Sequence, residues 1–139
     1  MIRYVLDTDT LTLLRQSHRK AVDRALAQPN GSVVTSVINV EEQISGWYTA
    51  VRRTKSPQLL SETYDRLART VTFLSQFPIL NFSLEGIAKY EELLRLKLGV
   101  RANDLRIAAI ALVHGATVVT RNVADFNCIS DLTVENWSD

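Results

Sequence analysis

Carboxylates at the ends of short apolar runs are the side chains with which this sequence can do chemistry. Asp7 and Asp9 close the β-prone run Ile2 to Leu6 with one residue between them. Glu41 and Glu42 follow the β-branched run Ser32 to Val37, and Asp104 opens the apolar stretch Leu105 to Val113. Asn122 and Asp125 follow another β-branched run, Thr117 to Thr120. In open α/β folds, ligands bind outside the carboxyl ends of the strands. Acids leaving strand ends and helix starts are therefore expected on one rim, around one ion. Packed together they repel, and they stay ionised only when neutralised. A hard divalent cation takes oxygen ligands and keeps waters, which suits a few carboxylates facing a phosphate. Such an ion activates water and stabilises the charge of an in-line displacement.

Each acid also has a plainer reading. Asp7 can cap a helix, although a cap does not explain why Asp9 follows. Asp104 is favourable at the positive end of a helix dipole. Asn122 and Asp125 can form an Asx-type turn into a short helix. Glu42 lies three residues after Asn39 and can complete a capping box. On a helical wheel, Val40, Ile44, Trp47 and Val51 mark a core face, with Glu41 near its margin and Glu42 almost opposite. Periodicity thus mildly favours Glu41 over Glu42. His18 and His114 read as surface or helix-end residues rather than bases. No glycine-rich phosphate loop is present, which argues against a nucleoside triphosphatase.

The elements that must hold these residues alternate between strand and helix. Residues 2–6 predict a buried strand, and Thr8 or Asp9 a helix cap, with the helix running to about Gln16. A second helix is expected from about His18 to Ala27, with Val22, Ala25 and Leu26 inward. It stops at the turn Pro29-Asn30-Gly31. After strand 32–37, Asn39 reads as the cap of a helix through Val51. Ser56-Pro57 restarts a helix to about Gln76, with Leu59, Leu60, Leu67, Val71 and Leu74 apolar. Those two helices are expected to form a hairpin. Residues 78–80 predict a short strand, and Ser83 a cap for a helix that ends before Gly99. The helix opened by Asn103-Asp104 is apolar nearly all round, so it should be central and covered. Strands at 117–120 and 133–135 complete an alternating pattern, which predicts a parallel sheet covered on both faces.

Composition narrows the class. A chain of 139 residues with 46% hydrophobic and 22% charged residues reads as a single globular domain, 1–139. The longest apolar run, Ile107 to Val113, is too short to span a bilayer. Asp7 and Asp9 interrupt any apolar leader, so the expectation is cytoplasmic with no membrane segment. The single cysteine, Cys128, excludes an internal disulfide and a multi-thiolate zinc site, and it is expected to be a small buried hydrophobe. The net charge of +1 provides no global field for nucleic acid. Local clusters at Arg15, Arg19, Lys20 and Arg24, and at Arg52, Arg53 and Lys55, are solvated faces or phosphate contacts around an acidic centre.

In this order and spacing the motifs resemble the PIN-domain ribonucleases, in particular the VapC-type toxins of bacterial toxin–antitoxin pairs. Val5-Leu6-Asp7-Thr8-Asp9 resembles the first acidic motif of that family. Ser36 to Gly46 resembles the second, whose acid lies four residues before the glycine, which points to Glu42. Asp104-Leu105-Arg106-Ile107-Ala108-Ala109 resembles the third. Val118 to Phe126 and Leu132 to Trp137 resemble the C-terminal end. The resemblance implies a three-layer α/β fold with a central parallel sheet of four or five strands. It further implies metal-dependent endonucleolytic cleavage of RNA, leaving a 5′-phosphate and a 3′-hydroxyl. Asp7, Glu42 and Asp104 would bind Mg²⁺ or Mn²⁺. Asp9, Asn122 and Asp125 would complete the shell, and Thr120 and Arg121 would orient it or touch substrate. Many relatives have aspartate at the position of Asn122, and Asp125 is the candidate replacement. Asp9 stands where relatives often have asparagine. Relatives are usually homodimers held by an antitoxin whose tail crosses the acidic groove, and the hairpin from Asn39 to Gln76 is the candidate docking surface.

Two other readings compete. Asp7-Thr8-Asp9-Thr10 also resembles the opening motif of haloacid dehalogenase-type phosphatases, with Asp7 as nucleophile. Leu11 departs from that motif, and its later lysine and paired-aspartate motifs are missing. A PIN-like module that binds RNA or protein without cutting is the other alternative, suggested by Asn122.

Overall fold

Alternation along the strands explains how the sheet is buried on both sides. In β1 (Tyr4–Leu6), Val5 faces one layer of helices and Leu6 the other, and both are fully buried. In the computed structural model, which describes all 139 residues, the chain continues through α1 (Thr8–Arg15), α2 (Arg19–Leu26) and β2 (Val33–Ser36). It then forms α3 (Val37–Arg53), α4 (Pro57–Leu74), β3 (Ile79–Leu80) and α5 (Leu84–Arg95). It closes with α6 (Ala102–Val113), β4 (Thr117–Val119), α7 (Val123–Phe126) and β5 (Val134–Glu135). All strand pairs are parallel, in the order β3-β2-β1-β4-β5. The expected sheet is therefore present, with five strands.

One layer packs Val5, Val34 and Val118 against α6 and α5. Leu105 and Ile107 to Ala111 are all buried, so α6 is the covered helix its sequence predicts. The other layer packs Leu6 and Val119 against Leu11, Leu13, Ala21, Leu74 and Trp137. Gly31 and Gly115, both at positive φ (78° and 61°), make the turns that feed β2 and β4. Strand order decides where a site can form. From β1 the chain winds outward through β2 and β3, then returns to lay β4 on the other side of β1. The carboxyl ends of β1 and β4 thus border the crevice where the winding reverses, the place where open α/β sheets bind ligands.

Several local expectations are corrected. The cap of α1 is Asp7, whose side chain accepts from the backbone N–H of Thr10, rather than Thr8 or Asp9. The cap of α3 is Ser36, three residues before Asn39, so no capping box forms between Asn39 and Glu42. Helix α6 starts at Ala102, ahead of Asn103-Asp104, and has no side-chain cap. In α2 Ala21 is the buried residue, and Leu26 is exposed because it falls in the last turn beyond the sheet. In α4 Leu59 and Val71 are exposed although apolar, since the helix buries only its Thr70–Leu74 flank completely. Ser56 and Pro57 start α4 as expected, and α3 packs beside α4 as a hairpin.

Candidate active site

The site begins where β1 stops. The backbone N–H of Asp7 donates to the Val119 carbonyl (3.1 Å), and the Thr10 hydroxyl donates to the same carbonyl (3.0 Å). Together they lock the first turn of α1 onto the end of β4. The Asp7 carboxylate is 7% exposed and accepts from the Thr10 N–H at 3.0 Å. Burial is the largest influence on it and pushes its pKa above the usual carboxylate value. Hydrogen bonding from Thr120 and Thr10 pulls the other way, and the charge of Asp9 adds to the rise. No basic side chain pairs with Asp7. Capping engages only Oδ1 of this side chain with the Thr10 N–H.

Beside Asp7, Asn122 donates its Nδ2–H to Asp9 Oδ2 (3.2 Å), and its backbone N–H donates to the Thr120 hydroxyl (2.9 Å). Thr120 is fully buried. Arg121 points to solvent with no side-chain partner.

A second group assembles across α3 and α6. Glu42 accepts at both oxygens: from the Thr8 hydroxyl at 3.0 Å and from Asn103 Nδ2 at 3.2 Å. Thr8 accepts from Asn39 Nδ2 (3.3 Å), whose amide oxygen accepts from Ser36 Oγ (2.5 Å). On the other side, Arg106 donates to Asn103 Oδ1 at 2.6 Å. Glu42 lies in the second turn of α3, because that helix starts at Val37. Glu41 is exposed and has no side-chain partner. The wheel misled because an interior rim is neither core nor solvent.

Asp104 is buried at the first turn of α6 and accepts from Arg101 through Nε (3.2 Å) and a terminal guanidinium nitrogen (3.3 Å). That pairing raises the pKa of Arg101, with smaller contributions from the charges of Glu42 and Asp125. Asp104, Asp125, Arg101 and Cys128 line one cavity of about 210 Å³. Cys128 is exposed there rather than buried, with Sγ 3.7 Å from the Asp125 carbonyl. His18 caps α2 through Nδ1 and His114 ends α6, both outside the site.

The acids share a rim but not a common coordination point. No three His, Cys, Asp or Glu side chains stand close enough to hold an ion between them. The expectation of one converged centre is corrected to two groups bridged by Thr8, adjacent to Asp7 and bonded to Glu42. The physical reason lies in the donors. Carboxylates take hydroxyl, amide and guanidinium hydrogens that lie within reach, and Thr8, Asn103 and Arg101 supply them. The sequence does not single out Arg101, and it marks Thr8, Asn39 and Asn103 only as helix-start residues. Only the i, i+3 spacing of Arg101 and Asp104 carries a signal of contact.

This fold and rim define a class. Residues 4–127 match the PIN domain, and the chain belongs to that family. Among its relatives is Ribonuclease VapC2 of Rickettsia felis, 30% identical over 142 residues that cover 96% of this chain and 97% of the relative. Another is Ribonuclease VapC1 of Haemophilus influenzae, 29% identical over 143 residues covering 97% and 98%. Among solved structures, VapBC2 from Rickettsia felis, bound to a DNA fragment from its promoter, aligns over 99% of both chains with a TM-score of 0.72 and 30% identity. VapBC-1 from nontypeable Haemophilus influenzae aligns over 100% of both chains with a TM-score of 0.78 and 25% identity.

Proposed function

We propose that this chain is a metal-dependent endoribonuclease, the toxin of a type II toxin–antitoxin pair. The observation that carries the reading is a buried Asp7 carboxylate at the sheet's switch point, with no basic partner and with Glu42 and Asp104 on the same rim. A buried charge is normally paired or bound to metal. The donor set is entirely oxygen, which fits Mg²⁺ or Mn²⁺ rather than a soft ion. Asp7, Glu42 and Asp104 would hold the cation, with Asp9, Asn122 or Asp125 completing its shell after Arg101 releases Asp104. When bound, such an ion supplies an activated water and offsets charge on the phosphate oxygens.

The chain's own residues set the geometry. Asp7 is fixed by the Thr10 N–H, and the β4 contact anchors the turn it starts, so its carboxylate sits on a rigid strand end. Thr8 and Asn103 orient Glu42 from two sides. Arg101 is 76% exposed but Asp104 only 13%, so Arg101 would leave for a phosphate only as a cation takes its place beside the buried carboxylate. The names of the relatives support RNA as substrate, and their solution as VapBC complexes supports a cognate antitoxin. The α3–α4 hairpin remains the proposed antitoxin surface, and a homodimer the proposed assembly. No helix is long and apolar enough to cross a membrane, which is compatible with a cytoplasmic site of action.

The test is direct. The purified chain is incubated with structured RNA and Mn²⁺, with and without chelator, and the ends are mapped. Cleavage that stops with chelator and leaves 5′-phosphates supports the reading. RNA that stays intact under every metal condition sinks it and favours a binding module. A beryllofluoride adduct at Asp7 would favour the phosphatase alternative.

A further inference from the structure

A basic groove lies away from the acids, between the C-terminal end of α1 and the α3–α4 hairpin. It is a cavity of about 390 Å³ lined by Arg15, Trp47, Arg66 and Arg69. We infer that this groove binds single-stranded RNA outside the cleavage centre, with a base stacked on Trp47 and phosphates held by Arg66 and Arg15. The inference rests on the ribonuclease reading and adds where the strand lies.

The charge is local and uncompensated. Arg69 pairs with Asp65 at 2.8 Å, but the Arg66 guanidinium has no salt bridge and no side-chain hydrogen bond. Arg15 donates once, to the Thr70 hydroxyl at 3.0 Å, which aims its guanidinium while leaving other donors free. Three cations against one paired acid leave the groove at +2, on a chain whose whole net charge is +1. Trp47 is half-buried, so its indole presents a wall rather than a core contact. An aromatic face among arginines is the arrangement that holds unpaired bases and their backbone without reading sequence.

Position relates the groove to the rim. Arg15 lies eight residues along α1 from Asp7, and Trp47 five along α3 from Glu42. At about 1.5 Å per residue these are roughly 12 Å and 8 Å. Helix α1 therefore starts at Asp7 and ends at the groove, and α3 passes Glu42 in its second turn and reaches the groove in its middle. A polyanion laid over carboxylates gains little there, so its affinity must come from cations beside the centre. The groove was not visible in sequence, where Arg15 grouped with Arg19, Lys20 and Arg24. Folding instead joins Arg15 to two arginines of α4.

The experiment uses the full chain, chelator to block cutting, and fluorescein-labelled polyuridine of roughly 12 nucleotides read by anisotropy. Arg66→Gln should lower the slope of log affinity against log salt by about 0.7. Trp47→Leu should weaken binding roughly 5- to 150-fold. Trp47→Phe should restore most of it, and a 4-thiouridine strand should cross-link near Trp47. Arg66→Gln changes an exposed residue, so it reports even if Trp47→Leu fails to fold. A native chain that binds and cuts RNA, with Arg66→Gln showing unchanged affinity and salt slope, overturns the groove and leaves the nuclease standing. A chain that neither binds nor cuts RNA overturns both. Arginine-dependent capture of a polyglutamate peptide, without capture of polyuridine, overturns the RNA assignment and makes the groove a site for acidic protein.

Discussion

Replacing Asp7 by asparagine separates what this side chain does for the fold from what it does for the reaction. Asparagine keeps an oxygen for the Thr10 N–H and is about as good a cap as aspartate. Alanine keeps nothing, and should cost about 0.5–2 kcal/mol. Unfolding entropy is about 2.1 cal/mol/K per residue, so for 139 residues about 1 kcal/mol corresponds to about 3–4 °C. Asp7→Ala should therefore melt roughly 2–7 °C below Asp7→Asn, since both remove the charge and only alanine removes the cap. Asp7→Asn should melt no lower than the native chain in cation-free buffer at neutral pH. The sign follows from the raised pKa. Burial makes the folded chain hold this proton more tightly than the unfolded chain, whose value is near 3.8. The stability so gained is complete below pH 3.8 and is lost as pH rises through the higher folded value. Above that folded value the native chain bears a buried charge with no basic partner, which Asp7→Asn removes. The advantage of Asp7→Asn should fade as pH falls through the raised folded value and be gone below 3.8. With Mn²⁺ the order should reverse, because an ion that binds only the folded native chain stabilises it. Cleavage should drop at least about 100-fold in both variants. Calorimetry across pH, with and without Mn²⁺, and a gel assay for cleavage read all of this. An Asp7→Asn chain that melts as low as Asp7→Ala, or that still cuts RNA, would refute the reasoning.

Other outcomes follow from the same geometry. Glu42→Gln should reduce cleavage about 10- to 100-fold, and Glu41→Gln should leave it unchanged; equal effects would mean that the rim placement of Glu42 is irrelevant. Arg101→Ala should tighten Mn²⁺ binding roughly 1.4- to 5-fold, measured by titration calorimetry, because an exposed guanidinium no longer competes for Asp104. Weaker Mn²⁺ binding would show that Arg101 supports the ion instead. Ile110→Ala, in the buried face of α6, should cost about 2–5 kcal/mol, roughly 7–17 °C, while cleavage per folded molecule stays constant.

Element order was legible in the chain because its cues are local. All five strands coincide with short apolar or β-branched runs, Pro29-Asn30-Gly31 marks the turn before β2, and Ser56-Pro57 marks the start of α4. The acids Asp7 and Asp104 stood out for the same reason: each interrupts an apolar pattern where an element begins. Caps were less legible. Ser36 and Asn39 are equally good capping residues by type, and the choice falls to the one where β2 leaves the sheet.

What no reading along the chain could reach is partnership between distant side chains. Glu42 is selected over Glu41 by Thr8 and Asn103, which lie 34 and 61 residues away. Arg101 pairs with Asp104, and Thr8 and Asn103 hold Glu42, while Asp7 keeps no basic partner, because a carboxylate takes the nearest donor in three dimensions. The groove of Arg15, Trp47, Arg66 and Arg69 likewise exists only once α1 lies against the hairpin. Periodicity encodes which face of an element is buried. It carries no information about which of two polar neighbours meets a third on another helix, and that is settled by packing.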